Sequence, residues 1–128
     1  MYLLDTDVCV WMLRGRQSVV STVRSHSPED LAIASMTEAE LWYGALKGGR
    51  ETNLTTTTKL IEELGTVIPF GSVAARIHAR LRLELREKPI SPSDLVIAST
   101  ALASQRTLVT GNVREFSRVP GLNVENWV

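Results

Sequence analysis

The stretch YLLDTDV, residues 2–8, is where the fold becomes readable. Tyr2, Leu3 and Leu4 have the continuous apolar character of a strand covered on both faces. They stop at Asp5, Thr6 and Asp7 before the apolar pattern resumes at Val8. A buried strand ending in D-x-D sets carboxylates at its C-terminal end, the edge where open parallel sheets gather their ligands. Unrelated folds share that geometry, so three readings of the motif compete. One is a phosphatase of the haloacid-dehalogenase type and another a metal-dependent nuclease. The third is a turn in which Asp5 or Asp7 only caps the helix beginning near Val8.

Outward from this segment, apolar strands alternate with helical patterns to the end of the chain, the signature of an α/β fold built on a parallel sheet. After the strand Tyr2–Asp5, residues 8–14 and 19–25 read as short helices and LAIAS, residues 31–35, as a second strand. Ser35 and Glu38 have the spacing of a capping box, which predicts a helix to about Lys47, ended by the glycine pair that follows. NLTTTTKLIEEL is a third helix despite its four threonines, closed by Gly65 ahead of the strand TVIPF. Val73, Ile77, Leu81 and Leu85 recur at helical spacing, which predicts a long amphipathic helix over residues 73–88. Ser91 as N-cap and Pro92 in the first turn open a helix, TLVTGN reads as a strand, and GLNVENW is a short last strand. About five strands flanked by helices result.

The composition fits one soluble domain. The chain has 128 residues, 44% of them hydrophobic, and a formal net charge of zero. Neutrality leaves nucleic acid open as a partner, because a local basic patch is enough. Cys9 is the one cysteine and reads as a buried free thiol in a reducing compartment. Nothing at the N-terminus resembles a signal segment and no apolar run approaches spanning length, so a cytoplasmic protein is expected, with no membrane partner.

Three acidic residues fall where such a sheet collects its site: Asp5 at the end of the first strand, Glu40 near the start of the helix after the second, and Asp94 in the first turn of a later helix. Carboxylates converging in a crevice repel one another unless a cation lies between them. Hard oxygen donors suit magnesium or manganese. Each residue has a plainer reading as well, since Asp94 suits a helix start and Glu40 an exposed helical face.

Beyond these residues the chain resembles the PIN-domain ribonuclease toxins of VapBC-type toxin–antitoxin systems over essentially its whole length. The resemblance is carried by YLLDTD at the start, MTEAELWYGA in the middle, PISPSDLVIASTALA in the second half, and TLVTGNVREFSRVPGLNVENW at the end. It implies a PIN fold and a metal-dependent endoribonuclease, a toxin that cleaves RNA, tRNA or rRNA among its candidates, to inhibit translation. Carried over residue by residue, the metal site falls on Asp5, Glu40 and Asp94. Thr6, Asp7, Asn112 and Glu115 stand as accessory positions. The family usually reads Asp-Thr-Asn at the start, where this chain has Asp7, and two asparagines before REF, where it has Gly111 ahead of Asn112.

The resemblance further implies Mg2+ or Mn2+, a homodimer, and a VapB-like antitoxin whose basic C-terminal segment lies across the acidic groove. Arg114 and Arg118 are candidates for RNA phosphate contacts, with Lys47 and Arg50 extending the surface. Trp11, Trp42 and Tyr43 suit an interface better than base stacking, and His26 and His78 lie on predicted helices away from the chemistry. Asp7 is expected to serve mainly as local structure, accepting N–H groups of the first helical turn. Against the nuclease stand a non-catalytic PIN-like binding module and, more remotely, the phosphatase, which needs a downstream lysine that the chain lacks after Lys88.

Overall fold

In a computed structural model describing residues 1–127, five parallel strands form one sheet. In chain order the elements are β1 (Tyr2–Leu4), α1 (Thr6–Leu13), α2 (Gln17–Arg24), β2 (Leu31–Ala34), α3 (Ser35–Gly48) and α4 (Glu51–Leu64). They continue with β3 (Val67–Ile68), α5 (Ser72–Glu84), α6 (Pro92–Ala103), β4 (Thr107–Val109), α7 (Val113–Phe116) and β5 (Val124–Glu125). The strand order is β3-β2-β1-β4-β5, so the chain winds outward from β1 in one direction and, after α6, in the other. The reversal lies between β1 and β4, where Leu3 pairs with Leu108 and Leu4 with Val109. In doubly wound sheets the ligand crevice opens at that point, beyond the carboxyl ends of the two strands.

The apolar run at the start of the chain becomes the central strand because both of its faces are covered. Leu3 and Leu4 are each fully buried, on opposite sides of the sheet. Leu4 packs with Val8, Met12, Val19, Val23 and Leu64 beneath α1, α2 and α4. Leu3 packs with Leu81, Leu95, Ile97, Ala98 and Phe116 beneath α5, α6 and α7. Ala32 and Ala34 of β2 join Ala98 and Ala101 of α6 in that second core, where small residues bring the helix close to the sheet.

Several local expectations are corrected. The first helix starts at Thr6, and its N-cap is Asp5, whose side chain accepts the Thr6 N–H. The capping box at Ser35 does not form: the N-cap is Ala34, and Glu38 instead accepts the Trp42 indole N–H at 3.0 Å, one turn on. With the cap at Ala34, Ser35 is already the first helical residue and its side chain is no longer at the capping position. The helix α3 closes, as expected, on Gly49 in the left-handed conformation, φ 69°.

The long amphipathic helix stops at Glu84, short of Lys88, and Val73 at its start is exposed although Leu81 is fully buried. The later strands are shorter than their apolar stretches: β3 covers two residues of TVIPF, and β4 ends at Val109. A 3-10 turn at Pro28–Asp30 and the short α7 are elements that hydrophobic periodicity does not signal. His26 lies beyond the end of α2 rather than on it, and its ring stacks on Trp127. Among the described residues no helix is long and apolar enough to cross a membrane.

Candidate metal centre

The site assembles at the switch point from the strand ends. The Asp5 N–H donates to the Val109 carbonyl at 2.9 Å, which continues the β1–β4 ladder one residue past β1 and fixes the Asp5 backbone. The Asp5 carboxylate is 5% exposed, and both of its oxygens are engaged: Oδ1 accepts the Thr6 N–H at 2.8 Å and Oδ2 accepts the Thr110 hydroxyl at 2.7 Å. Thr110 is itself fully buried, immediately after β4, and its oxygen also accepts the Asn112 N–H at 2.9 Å.

Glu40 reaches the same place from α3. The Thr6 hydroxyl donates to Glu40 Oε1 at 2.7 Å and lies 3.1 Å from the hydroxyl of buried Thr37. One threonine at the start of α1 therefore links the carboxylate that follows β1 to the helix that follows β2. Asp94 approaches from the first turn of α6, where the Ser91 hydroxyl caps its N–H at 3.2 Å and Pro92 occupies the first helical positions.

These carboxylates act on one another electrostatically. The Asp5 pKa is raised to about 7, chiefly because burial disfavours the charge and next because Asp7 is nearby. The Thr110 and Thr6 hydrogen bonds pull the other way, and Asp94 adds a smaller upward push. The Asp94 carboxyl is also raised, first by burial, with Ser91 opposing, then by Glu40, Asp7 and Glu115. The ion pairs among the described residues lie elsewhere, at Arg24–Glu63, Arg80–Glu84 and Arg118–Glu115, and none of them neutralises Asp5, Asp7, Glu40 or Asp94. Burial pushes the Cys9 thiol up as well, with Asp5 and Asp7 adding to it, and the thiol is a core group, as its sequence position suggests.

The fit to a hard divalent cation rests on the donor set: Asp5, Glu40 and Asp94 offer carboxylate oxygens, with no thiol or imidazole among them. Asp7 Oδ1 is buried without a hydrogen-bond partner among the described residues. Among the described residues no group of three or more acidic, thiol or imidazole side chains lies close enough together to hold a metal ion.

The remaining sequence-derived candidates divide. Thr6 and Asp7 belong to the cluster, and Glu115 acts on Asp94 by charge while accepting from Arg118 at 2.9 Å. Asn112 is exposed and contributes its backbone N–H, its side chain making no cap. Arg118 pairs with Glu115 and donates to the Lys88 carbonyl. Arg114 is exposed. For Asp7 the expected partner is corrected: its Oδ2 accepts the Gly111 N–H at 3.0 Å, across the crevice, rather than N–H groups of its own turn. Sequence reasoning does not single out Thr110; its signal is a threonine closing the strand TLV that must lie beside β1.

Beside Glu40 a cleft of about 480 Å3 runs between α1, α3 and α4, lined by Val10, Leu13, Leu41, Ala45 and Asn53 among others. The exposed side chains of Tyr43 and Leu46 stand on the same helix α3.

Residues 2–122 match the PIN domain family model. The chain is 34% identical to Ribonuclease VapC2 of Rickettsia felis, covering 98% of this chain and 97% of that protein. It is 33% identical to the tRNA(fMet)-specific endonuclease VapC of Salmonella typhimurium, with the same coverage. Among solved structures it is similar to VapBC2 from Rickettsia felis bound to a DNA fragment from its promoter, at a TM-score of 0.91 and 34% identity, covering 99% of this chain and 98% of that one.

Proposed function

The chain belongs to the PIN-domain family, with VapC ribonucleases as its relatives, and from that premise we propose that its acidic crevice holds a divalent cation and hydrolyses RNA. Membership sets the phosphatase reading aside. The observation that carries the proposal is Asp5, buried at the switch point and oriented by two hydrogen bonds, with Asp7 and Asp94 within electrostatic reach and no cationic side chain among the described residues paired to it.

Asp5, Glu40 and Asp94 would hold Mg2+ or Mn2+. When bound, such an ion supplies Lewis-acid activation of water and charge neutralisation at a phosphodiester. The protein's own part is orientation. Thr6 fixes Glu40, Thr110 fixes Asp5, and the first turn of α6 presents Asp94 beside them. Glu115 adds negative charge at the Asp94 side, and exposed Arg114, two residues past Asn112, is placed to meet RNA phosphate.

In the cell this reading makes the chain the toxin of a toxin–antitoxin pair, working in the cytoplasm as a homodimer, with a VapB-like partner. The cleft beside Glu40 suits the partner's C-terminal segment. Its apolar wall takes hydrophobic side chains, while a basic residue reaching the carboxylates competes with the cation for the same potential. The test is cleavage of a pooled tRNA and rRNA substrate by the purified chain. Cleavage should require added Mn2+ or Mg2+, stop on chelation, and stop again when the product of the adjacent reading frame is added. A folded chain that cuts none of these RNAs with either ion would be a binding module instead.

A further inference from the structure

The connection from β4 to α7 is tied to α1 by an unusual pair of contacts. Asp7 Oδ2 accepts the Gly111 N–H at 3.0 Å. Position 111 also has no space for a side chain: a Cβ there would lie 2.3 Å from Trp11 Cη2, 3.1 Å from Trp11 Cζ3 and 3.1 Å from Asp7 Oδ2. The nearest of these is far inside carbon–carbon contact, so the indole can press against the loop only because residue 111 is glycine. One residue earlier, Thr110 sends its hydroxyl to Asp5 Oδ2, and one residue later the Asn112 N–H holds that hydroxyl oxygen. The loop that Asp7 and Trp11 pin is thus the loop that aims Thr110.

An aspartate carboxylate rotates broadly about its last torsion, so its donors set its orientation. For Asp5 these are the Thr6 N–H and the Thr110 hydroxyl. We propose that Asp7 is a positioning residue of the cation site: through the Gly111 N–H it fixes the β4–α7 loop, Trp11 sets how deeply that loop lies, and Thr110 thereby orients Asp5. The inference rests on the cation site proposed above and adds a role that Asp7 plays through its acceptor oxygen. An asparagine at position 7 keeps that acceptor and an alanine does not.

The experiment is Mn2+ titration of the full chain, followed by electron paramagnetic resonance, on variants shown to be folded by circular dichroism. Asp7→Asn should bind Mn2+ within about threefold of the parent. Asp7→Ala should bind about tenfold more weakly or worse, the range for losing a partner that orients a metal ligand. Gly111→Ala should weaken binding similarly with Asp7 still present, and adding Trp11→Phe, which removes Cη2 and Cζ3, should recover most of it. Parent-like binding by Asp7→Ala overturns the proposal. So does equal loss in Asp7→Asn and Asp7→Ala, which would make the charge, not the acceptor, what matters. Asp5→Asn separates the two layers: Mn2+ binding that survives in it overturns the cation site itself, whereas its loss there beside parent-like Asp7→Ala overturns only the latch.

Discussion

The two ends of β1, a strand of three residues, meet opposite surroundings. At its start, Tyr2 meets the edges of His26 and Trp127, with ring centroids 5.1 and 4.8 Å away, and His26 stacks on Trp127 at 4.2 Å. Three rings tie the first strand, the end of α2 and the C-terminal segment together, and every contact there favours folding. Just past its other end, Asp5 lies buried with Asp7 and Asp94 within electrostatic reach and no cationic side chain among the described residues paired to it, an arrangement that opposes ionisation of its carboxyl. One strand thus carries an aromatic end and an acidic end.

The division predicts that the two ends fail in different ways. Asp5→Asn, Glu40→Gln and Asp94→Asn should each cut metal-dependent RNA cleavage by about 1000-fold or more, equivalent to about 4 kcal/mol of transition-state stabilisation, with the circular dichroism spectrum unchanged. A folded variant cutting at the parent rate removes its residue from the site. At the aromatic end, Trp127→Ala should lower unfolding stability by about 2 kcal/mol, less than a fully buried tryptophan because this one is partly exposed, while cleavage per folded molecule stays at the parent level. Loss of activity in that variant at full folding would break the separation.

The acidic end should also show in the pH dependence of the metal-free chain. The folded state raises the Asp5 pKa from 3.8 to about 7, so between those values it holds a proton that the unfolded chain has released. Stability from this group is therefore greatest at low pH and falls as pH rises across that window, by at most about 1.4 kcal/mol per unit, then levels off. Asp94 shifts in the same direction and adds to the fall. Urea unfolding at pH 5 and pH 8 in chelator measures it, and a metal-free chain more stable at pH 8 would contradict the account. The smallest effect belongs to neither end: Arg24 and Glu63 pair at 3.1 Å on the open surface, so Arg24→Ala should leave both the unfolding midpoint and cleavage at their parent values.

How much of this is legible in the amino-acid sequence follows from what each feature depends on. The central strand is visible because full burial on both faces demands the unbroken run Tyr2–Leu4, and the Ser91 cap with Pro92 is visible because its chemistry is local. The acidic residues can be placed because α/β topology puts strand ends and helix starts on one edge. The Ser35 box misleads, because the sequence spacing is right but the helix begins one residue too early to use it. Thr110, Gly111 and the partner of Asp7 are out of reach for another reason. Their meaning lies in contacts spanning more than a hundred residues, and no periodicity near Asp7 points to a glycine N–H beside β4.

The proposed cation site implies that the carboxylates at the end of β1 cost stability until a divalent cation joins them. Thermal unfolding of the parent and of Asp5→Asn at pH 8, each in chelator and then in excess Mn2+, tests it most directly. In chelator Asp5→Asn should melt above the parent, because a buried charge has gone. In Mn2+ the parent should rise, and the variant should move little. A variant that melts below the parent in chelator, or gains as much from Mn2+, would contradict the claim.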